Sequence, residues 1–272
     1  MATRLLVGLL LSALIGGLGY WRRSLTRSGW LGAIIVGTAT TGLGSWAWGA
    51  LIIVFFVLSS ALSKVGARRK QTVAEDKFSK SDQRDIWQAL ANGGLPAALA
   101  LGYALAPHPA WWAAALGALG TATADTWATE IGTLSRGRPR LITSGRPVDP
   151  GTSGAISGLG TLATTAGAAT IGLAAWALAA AGLDAGAGAA WVVAAATLGG
   201  VGGSLIDSLL GATAQQMRWC PACGRETERA VHRCGTPTTF RRGWRWLDND
   251  WVNLISTAGG ASLGVLLWWL LA

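Results

Sequence analysis

The sequence predicts an all-α polytopic membrane protein, a bundle of about eight transmembrane helices with a small cytoplasmic loop resembling a zinc knuckle. Three observations predict it. Of 272 residues, 51% are hydrophobic and only 13% charged, a balance outside that of ordinary soluble domains. The apolar residues fall in runs close to the ~20 needed to cross a bilayer. The cations fall between those runs, so the formal net charge of +9 describes one surface rather than the whole molecule. Basic character also suits nucleic acid, but here apolar spans separate the basic loops, and no nucleic-acid partner is expected.

Taken in order, the candidate helices are Leu5 to Tyr20, Gly29 to Leu43, Ser45 to Ser63, Trp87 to Ala106, Ala110 to Ile131, Gly154 to Ala181, Ala189 to Ala214 and Trp251 to Leu271. The first follows Arg4 as a signal peptide would, but it lacks a small-x-small cleavage site before Trp21 and further spans follow it, so it reads as a retained helix. The first two runs are short. Only a Gly-Ser turn follows Leu43, which leaves a count of seven open. Residues 1–272 form a single integral membrane domain, with loop 215–250 inserted between the last two helices.

Charge tests this division. Loops 21–27, 64–86, 132–153 and 215–250 hold 21 of the 22 Lys and Arg residues, and two helices separate each basic loop from the next. The turns between, at Gly44, at Pro107-His108-Pro109 and from Gly182 to Gly188, have none. The positive-inside rule then puts all four basic loops in the cytoplasm and both termini outside, in the inner membrane if the cell is bacterial. Tryptophans gather near the helix ends: Trp46, Trp48, Trp111, Trp112, Trp191, Trp268 and Trp269 at the outer side, and Trp21, Trp30, Trp87, Trp219, Trp244, Trp246 and Trp251 at the inner. They are read as interface anchors. The 39 glycines are read as close-packing positions between helices, since small residues let backbones approach in lipid. Oligomeric state stays open, a homo-oligomer included.

Ionisable residues are costly in hydrocarbon and should face a cavity or a partner. Asp125 and Glu130, Asp207, and Asp250 with Asn253 sit near the cytoplasmic ends of three helices, and Asn92 sits similarly in a fourth. Thr121, Asp125 and Thr129 share a helix face, as do Ser204, Asp207 and Gly211, and Asn249 and Asn253. One polar pocket is expected there. Carboxylates with amides and no His or Cys among them suit a hard cation such as Mg²⁺. The bland alternative pairs each acid with a loop arginine and gives it a packing role only.

The turn Pro150-Gly151-Thr152-Ser153-Gly154, directly before a predicted helix, offers backbone N–H groups to an anion. Thr143-Ser144-Gly145-Arg146 adds donors and a charge. No Walker-type phosphate loop occurs, which disfavours a soluble P-loop kinase. All three cysteines lie in the last basic loop. Cys220-Pro-Ala-Cys223-Gly points two thiolates at one ion, and His232-Arg-Cys234-Gly supplies the other two ligands of a tetrahedral, structural zinc site. A cytoplasmic location argues against a disulfide.

The segments RDIWQALANGG (84–94), ADTWATEIG (124–132), PRLITSGRPVDPGTSGAISGLG (139–160), GGSLIDSLLGATAQ (202–215) and NDWVN (249–253), with the C-x-x-C and H-x-C-G pairs, resemble the transmembrane protein 19-like family, to which the plant phytyl phosphate kinase belongs. The match runs in order over nearly the whole chain. More distantly, Asp125-x-x-Ala128-x-x-x-Gly132 followed by the basic Gly/Ser/Thr passage is similar to phytol kinases, dolichol kinases and CDP-diacylglycerol synthases, membrane enzymes that use CTP or a related nucleotide with Mg²⁺. Arginines stand here where lysines are common in the synthases, which leaves the nucleotide open.

The resemblance implies a kinase of isoprenyl monophosphates of the phytyl or geranylgeranyl type, using a nucleoside triphosphate. In that reading Asp125, Asp207 and Asp250, with Asn92 and Asn253, hold Mg²⁺, and Glu130 is either a further ligand or an arginine's partner. Arg138, Arg140 and Arg146, with Thr152, Ser153 and Gly154 of the turn, grip phosphates. The competing readings are a polyprenol kinase acting on the free alcohol, an ion-coupled carrier, and an assembly protein that docks through the Cys/His loop.

Overall fold

Each apolar run closes as a helix where the sequence supplies an end signal. The computed structural model describes residues 1–67, 70, 77–78, 83–183 and 189–272. Within them lie eight α-helices: α1 Ala2–Trp21, α2 Arg27–Ala39, α3 Trp46–Lys64, α4 Ile86–Leu105, α5 Pro109–Gly132, α6 Gly158–Ala180, α7 Ala189–Thr213 and α8 Asn249–Leu271. The Thr26 hydroxyl caps α2 by accepting from Gly29 N at 3.0 Å. Asp85 and Gln88 form a reciprocal capping box on α4, Pro109 occupies the first turn of α5, and Asp248 accepts from Asp250 N and Trp251 N at the start of α8. These groups satisfy N–H donors that a helix start otherwise leaves unpaired.

Five of these helices, α1, α3, α6, α7 and α8, are long and apolar enough to cross a membrane. Helix α5 owes its different character to position. It is the centre of the bundle, packed on α3, α4, α6, α7 and α8, and every residue from Trp112 to Ala124 is buried. Its neighbours are protein, so it is built of Ala, Gly and Thr rather than Leu.

Three sequence expectations change. Helix α2 ends in a π-helical turn, Thr40–Gly44, ahead of Ser45, so the chain breaks there and α2 and α3 are separate helices among the eight of the described residues. Helix α6 starts at Gly158, not Gly154. Ala155–Ile156 is a short strand, β2, paired antiparallel with β1, Arg140–Leu141, and Ser157 supplies the cap. The Gly151–Gly154 turn is therefore not the helix N-terminus itself. Trp48, Trp112 and Trp191 are core residues rather than interface anchors: each is at most 7% exposed, and the rings of Trp48 and Trp112 meet at 5.2 Å. Trp21, Trp87 and Trp269 remain at least 66% exposed.

The loop after α7 folds as a three-stranded sheet in the order β4-β3-β5, with β3 Met217–Cys220, β4 Arg225–Thr227 and β5 Thr239–Arg242. The basic loops meet one another at this end of the bundle. Leu25 bridges to Arg84, Lys77 Nζ donates to Glu226 O at 3.2 Å, and Ser153 donates to Gln215. Arg68, Arg69, Lys80 and part of the turn expected at Gly182 to Gly188 lie outside the described residues.

Candidate functional site

At the basic-loop end two adjoining cavities open inside the bundle. One, of about 220 Å³, is lined by Asp125 and Thr129 of α5, Ser204, Asp207 and Ser208 of α7, the Gly151–Gly154 turn, Gln215, Glu228 and Asn249. The other, of about 210 Å³, is lined by Lys70, Arg84, Gln88, Asn92, Asp125, Glu130 and Asn253. Asp125, Thr129, Glu228 and Asn249 belong to both walls, which puts Asp125 at the junction. The two adjoining spaces, with polar groups converging on them, together suit a small polar ligand.

Asp207 is held by α8, whose Ser256 hydroxyl donates to its Oδ2 at 3.1 Å. One helical turn later Gly211 leaves room for the Gly151–Gly154 turn, because a Cβ there would meet Ser153 Oγ at 2.6 Å and Gly154 N at 2.9 Å. Gly154 itself has φ +78° and lies against the backbone of Ala212, a conformation and a closeness that only glycine accepts. The turn thus sits one helical turn from the Asp207 carboxylate for steric reasons.

Glu130 is engaged on both oxygens. Ser63 Oγ donates to Oε1 and Lys70 Nζ to Oε2, each at 2.6 Å. Its partner is a lysine of the second basic loop, not an arginine. Arg84 stands nearby in the same wall. Burial pulls its guanidinium below the ordinary value, while the Glu130 carboxylate pulls the other way. The backbone of Arg84 is clamped by Thr26 N donating to its carbonyl and by its own N–H donating to Ser24 O, both at 3.0 Å.

The site residues expected from sequence divide in two. Asp125, Asp207, Asn92, Glu130, Asn253, Thr152, Ser153 and Gly154 line the cavities. Asp250 does not; its neighbour Asn249 takes the wall position, one residue earlier in α8. Arg138, Arg140 and Arg146 are exposed, and Arg140 Nη1 donates to Gly145 O at 2.7 Å, bracing the loop. Lys70, Arg84, Gln88 and Glu228 are the wall residues that sequence reasoning passed over. A cation or acid at the end of a loop has no periodic signal, although Arg84 and Gln88 stood inside the first quoted motif.

The Cys/His group comes together as the spacing implies. The ligand atoms of Cys220, Cys223, His232 and Cys234 lie within 4.8 Å of one another. The Cys220 and Cys234 sulfurs are 3.6 Å apart, and His232 Nδ1 is 3.2 Å from the Cys234 sulfur. A tetrahedral ion with Zn–S bonds of about 2.3 Å suits that set, so the cluster fits a metal such as zinc. The Thr236 hydroxyl and then His232 pull the Cys234 thiol down to about 5. Its hydrogen bond with Cys234 pushes Cys223 up to about 11. One thiolate is thus preformed. The hairpin carrying the cluster continues from β4 directly into Glu228, so the same module forms part of the cavity wall.

Fold and site together define an integral membrane protein with a polar cavity at one end of its bundle and beside it a Cys/His cluster whose geometry fits a metal. The profile of the integral membrane protein DUF92 family matches residues 10–261, and the chain belongs to that family. Protein PGR of Arabidopsis thaliana is 32% identical over 274 residues, covering 93% of this chain and 92% of its own. An uncharacterized membrane protein of Methanocaldococcus jannaschii is 32% identical over 267 residues, covering 97% and 94%. Another from Synechocystis is 26% identical over 247 residues, covering 90% and 83%. No solved structure matches the chain.

Proposed function

We propose that this chain is a Mg²⁺-dependent kinase of isoprenyl monophosphates, transferring a phosphoryl group from a nucleoside triphosphate such as CTP to form the isoprenyl diphosphate. The observation that carries this reading is that Asp125 and Asp207, from two helices, line one cavity with the Gly151–Gly154 turn. Carboxylate, hydroxyl and amide oxygens make a donor set suited to a hard cation. Asp125 and Asp207 would hold it, with Asn249 and Glu228 in reach of the same space. When bound, magnesium supplies charge neutralisation to the phosphates.

The chain's own groups have the remaining work. A monophosphate acceptor is already an oxyanion at neutral pH, so no general base is required; alignment and electrostatic stabilisation carry phosphoryl transfer. The turn offers hydroxyl and backbone donors to one phosphate group. Lys70 and Arg84, in the wall of the adjoining cavity, offer positive charge to another, a part the exposed Arg138, Arg140 and Arg146 are badly placed to play. The clustering of basic loops at this end supports a cytoplasmic site, where the nucleotide is found. The Cys/His loop, with four protein ligands and no open position, suits a structural zinc.

The deciding experiment is transfer by purified protein in detergent with Mg²⁺. CTP, UTP, GTP and ATP would each be tried against phytyl, geranylgeranyl and farnesyl phosphates and their alcohols. Diphosphate product is the expected result, and monophosphate made from an alcohol would move the assignment to a polyprenol kinase. No transfer from any pair by folded protein would overturn it and favour a carrier, which flux into liposomes without nucleotide would test.

A further inference from the structure

A third, narrow cavity, of about 70 Å³, lies among α1, α2, α3 and α4. Its walls are apolar, with Ile15, Val36, Ile52, Phe55 and Phe56 prominent. It exists because α3 packs on α5 but touches α1 and α2 at few points, leaving a gap at the level of Ile52 to Phe56. Four polar residues also line it, Ser12, Arg84, Gln88 and Asn92, and the last three line the polar cavity beside Asp125 as well. The apolar and polar spaces therefore share one wall.

We propose that this cavity is the seat of the hydrocarbon chain of a lipid with a phosphate head, the head lying against Arg84, Gln88 and Asn92 and facing Asp125. The proposal deepens the kinase reading and rests on it for the identity of the acceptor. Three features select this occupant. The shared wall carries a cation, as an anionic head requires. The backbone that carries that cation is held in place, tied to Ser24 and Thr26, and a Cβ on Gly29 would strike its carbonyl. The space is too narrow for a bulky polar ligand, and its apolar lining suits a slender hydrocarbon chain. A chain leaving the bilayer gains little from burial, since lipid is as apolar as the cavity. Selection is therefore by shape, with binding strength supplied by the head.

The test uses the full-length protein and geranylgeranyl phosphate bearing a diazirine at the far end of its chain, photolysed without nucleotide. Cross-links are expected in the α1 to α3 segments around Ile15 and Ile52. Ala33→Phe and Ala89→Phe, which fill the cavity from α2 and α4, should each reduce labelling about tenfold, the effect of overpacking an enclosed apolar site. Nucleotide binding should be unchanged in both. Wild-type mapping decides the question if a filled variant does not fold. Label instead in the apolar groove between α4, α5 and α8, near Leu99 and Ala261, label that survives filling, or no label at all would each overturn the proposal. Label in the cavity without phosphate transfer would keep the tail site and reject the kinase reading. Transfer with label elsewhere would do the reverse.

Discussion

Gln215 Nε2 donates a 2.8 Å hydrogen bond to Glu228 Oε1, and Gln215 Oε1 accepts from the Ser153 hydroxyl. One amide at the end of α7 therefore ties the Cys/His module to the Gly-rich turn. Gln215 is only 2% exposed, so its partners lose hydrogen bonds that water does not readily replace. Gln215→Leu should cost about 1–3 kcal/mol and weaken nucleotide binding as the turn loosens. Thermal unfolding in detergent and a nucleotide titration measure both; an unchanged pair of values would show that the link carries nothing.

Asp125 and Asp207 stand at the centre of the proposed chemistry. Replacing either by Asn keeps shape and removes charge, and in Asp207→Asn the new amide oxygen can still accept from the Ser256 hydroxyl. Each change should lower kcat by roughly 10²-fold or more, the loss seen when one electrostatic group is removed from a preorganised site, with little change in unfolding temperature. Turnover near the parent level in the double variant Asp125→Asn/Asp207→Asn would sink the assignment.

Much of this was legible in the sequence, for a physical reason. Lipid imposes a length and an apolarity on each span, so α1 to α8 are visible in the runs, and the gathering of basic loops follows from their parity. Asp125 and Asp207 were visible because an acid within an apolar run is conspicuous. Lys70, Arg84 and Glu228 were not, since they reach the cavity from loops whose path no periodicity records. Asp250 and Asn249 differ by one helical step, about 100°, and the sequence has no mark of which one faces inward. Trp48 and Trp112 lie near helix ends, where lipid anchors also lie; only the neighbouring ring distinguishes core from interface.

Glu130 holds Lys70 at 2.6 Å, and the side chains are 20% and 11% exposed. Glu130→Gln leaves the half-buried Lys70 ammonium group in the wall of the polar cavity without its counter-charge. The expected cost is roughly 1–3 kcal/mol, below that of a fully buried pair because the adjoining cavity admits water. Lys70→Met added to Glu130→Gln should recover part of the loss. A double-mutant cycle of unfolding free energies reads the coupling, and strict additivity would argue that the pair contributes nothing.

Glycine positions separate close packing from mere abundance. A Cβ on Gly117 would run into the carbonyl of Gly260 and lie 3.2 Å from Ala261 Cα, backbone atoms that cannot swing aside. Gly117→Ala should force α5 from α8 and cost about 1–3 kcal/mol. On Gly94 the nearest atom is Leu90 Cβ at 3.7 Å, so Gly94→Ala should be neutral or stabilising by up to about 1 kcal/mol through helix propensity. Paired thermal melts in one detergent test the contrast, and equal shifts would contradict it.

Metal removal should be readable at individual cysteines. Thiolates are both the metal ligands and the nucleophiles. In stripped protein Cys234, with its pKa drawn down to about 5, is ionised at pH 7, while Cys223, raised to about 11, is not. Iodoacetamide at pH 7 should therefore label Cys234 first, Cys223 should follow only as pH rises, and metal-loaded protein should label at neither. Coordination needs deprotonated ligands, so the loaded form should lose its metal as pH falls toward 5. Because β4 leads straight into Glu228, stripping should also slacken the bond from Gln215 and expose the cavity wall to exchange. Hydrogen exchange around residues 226–229 that stays the same with and without metal would show the module to be independent of the site it flanks.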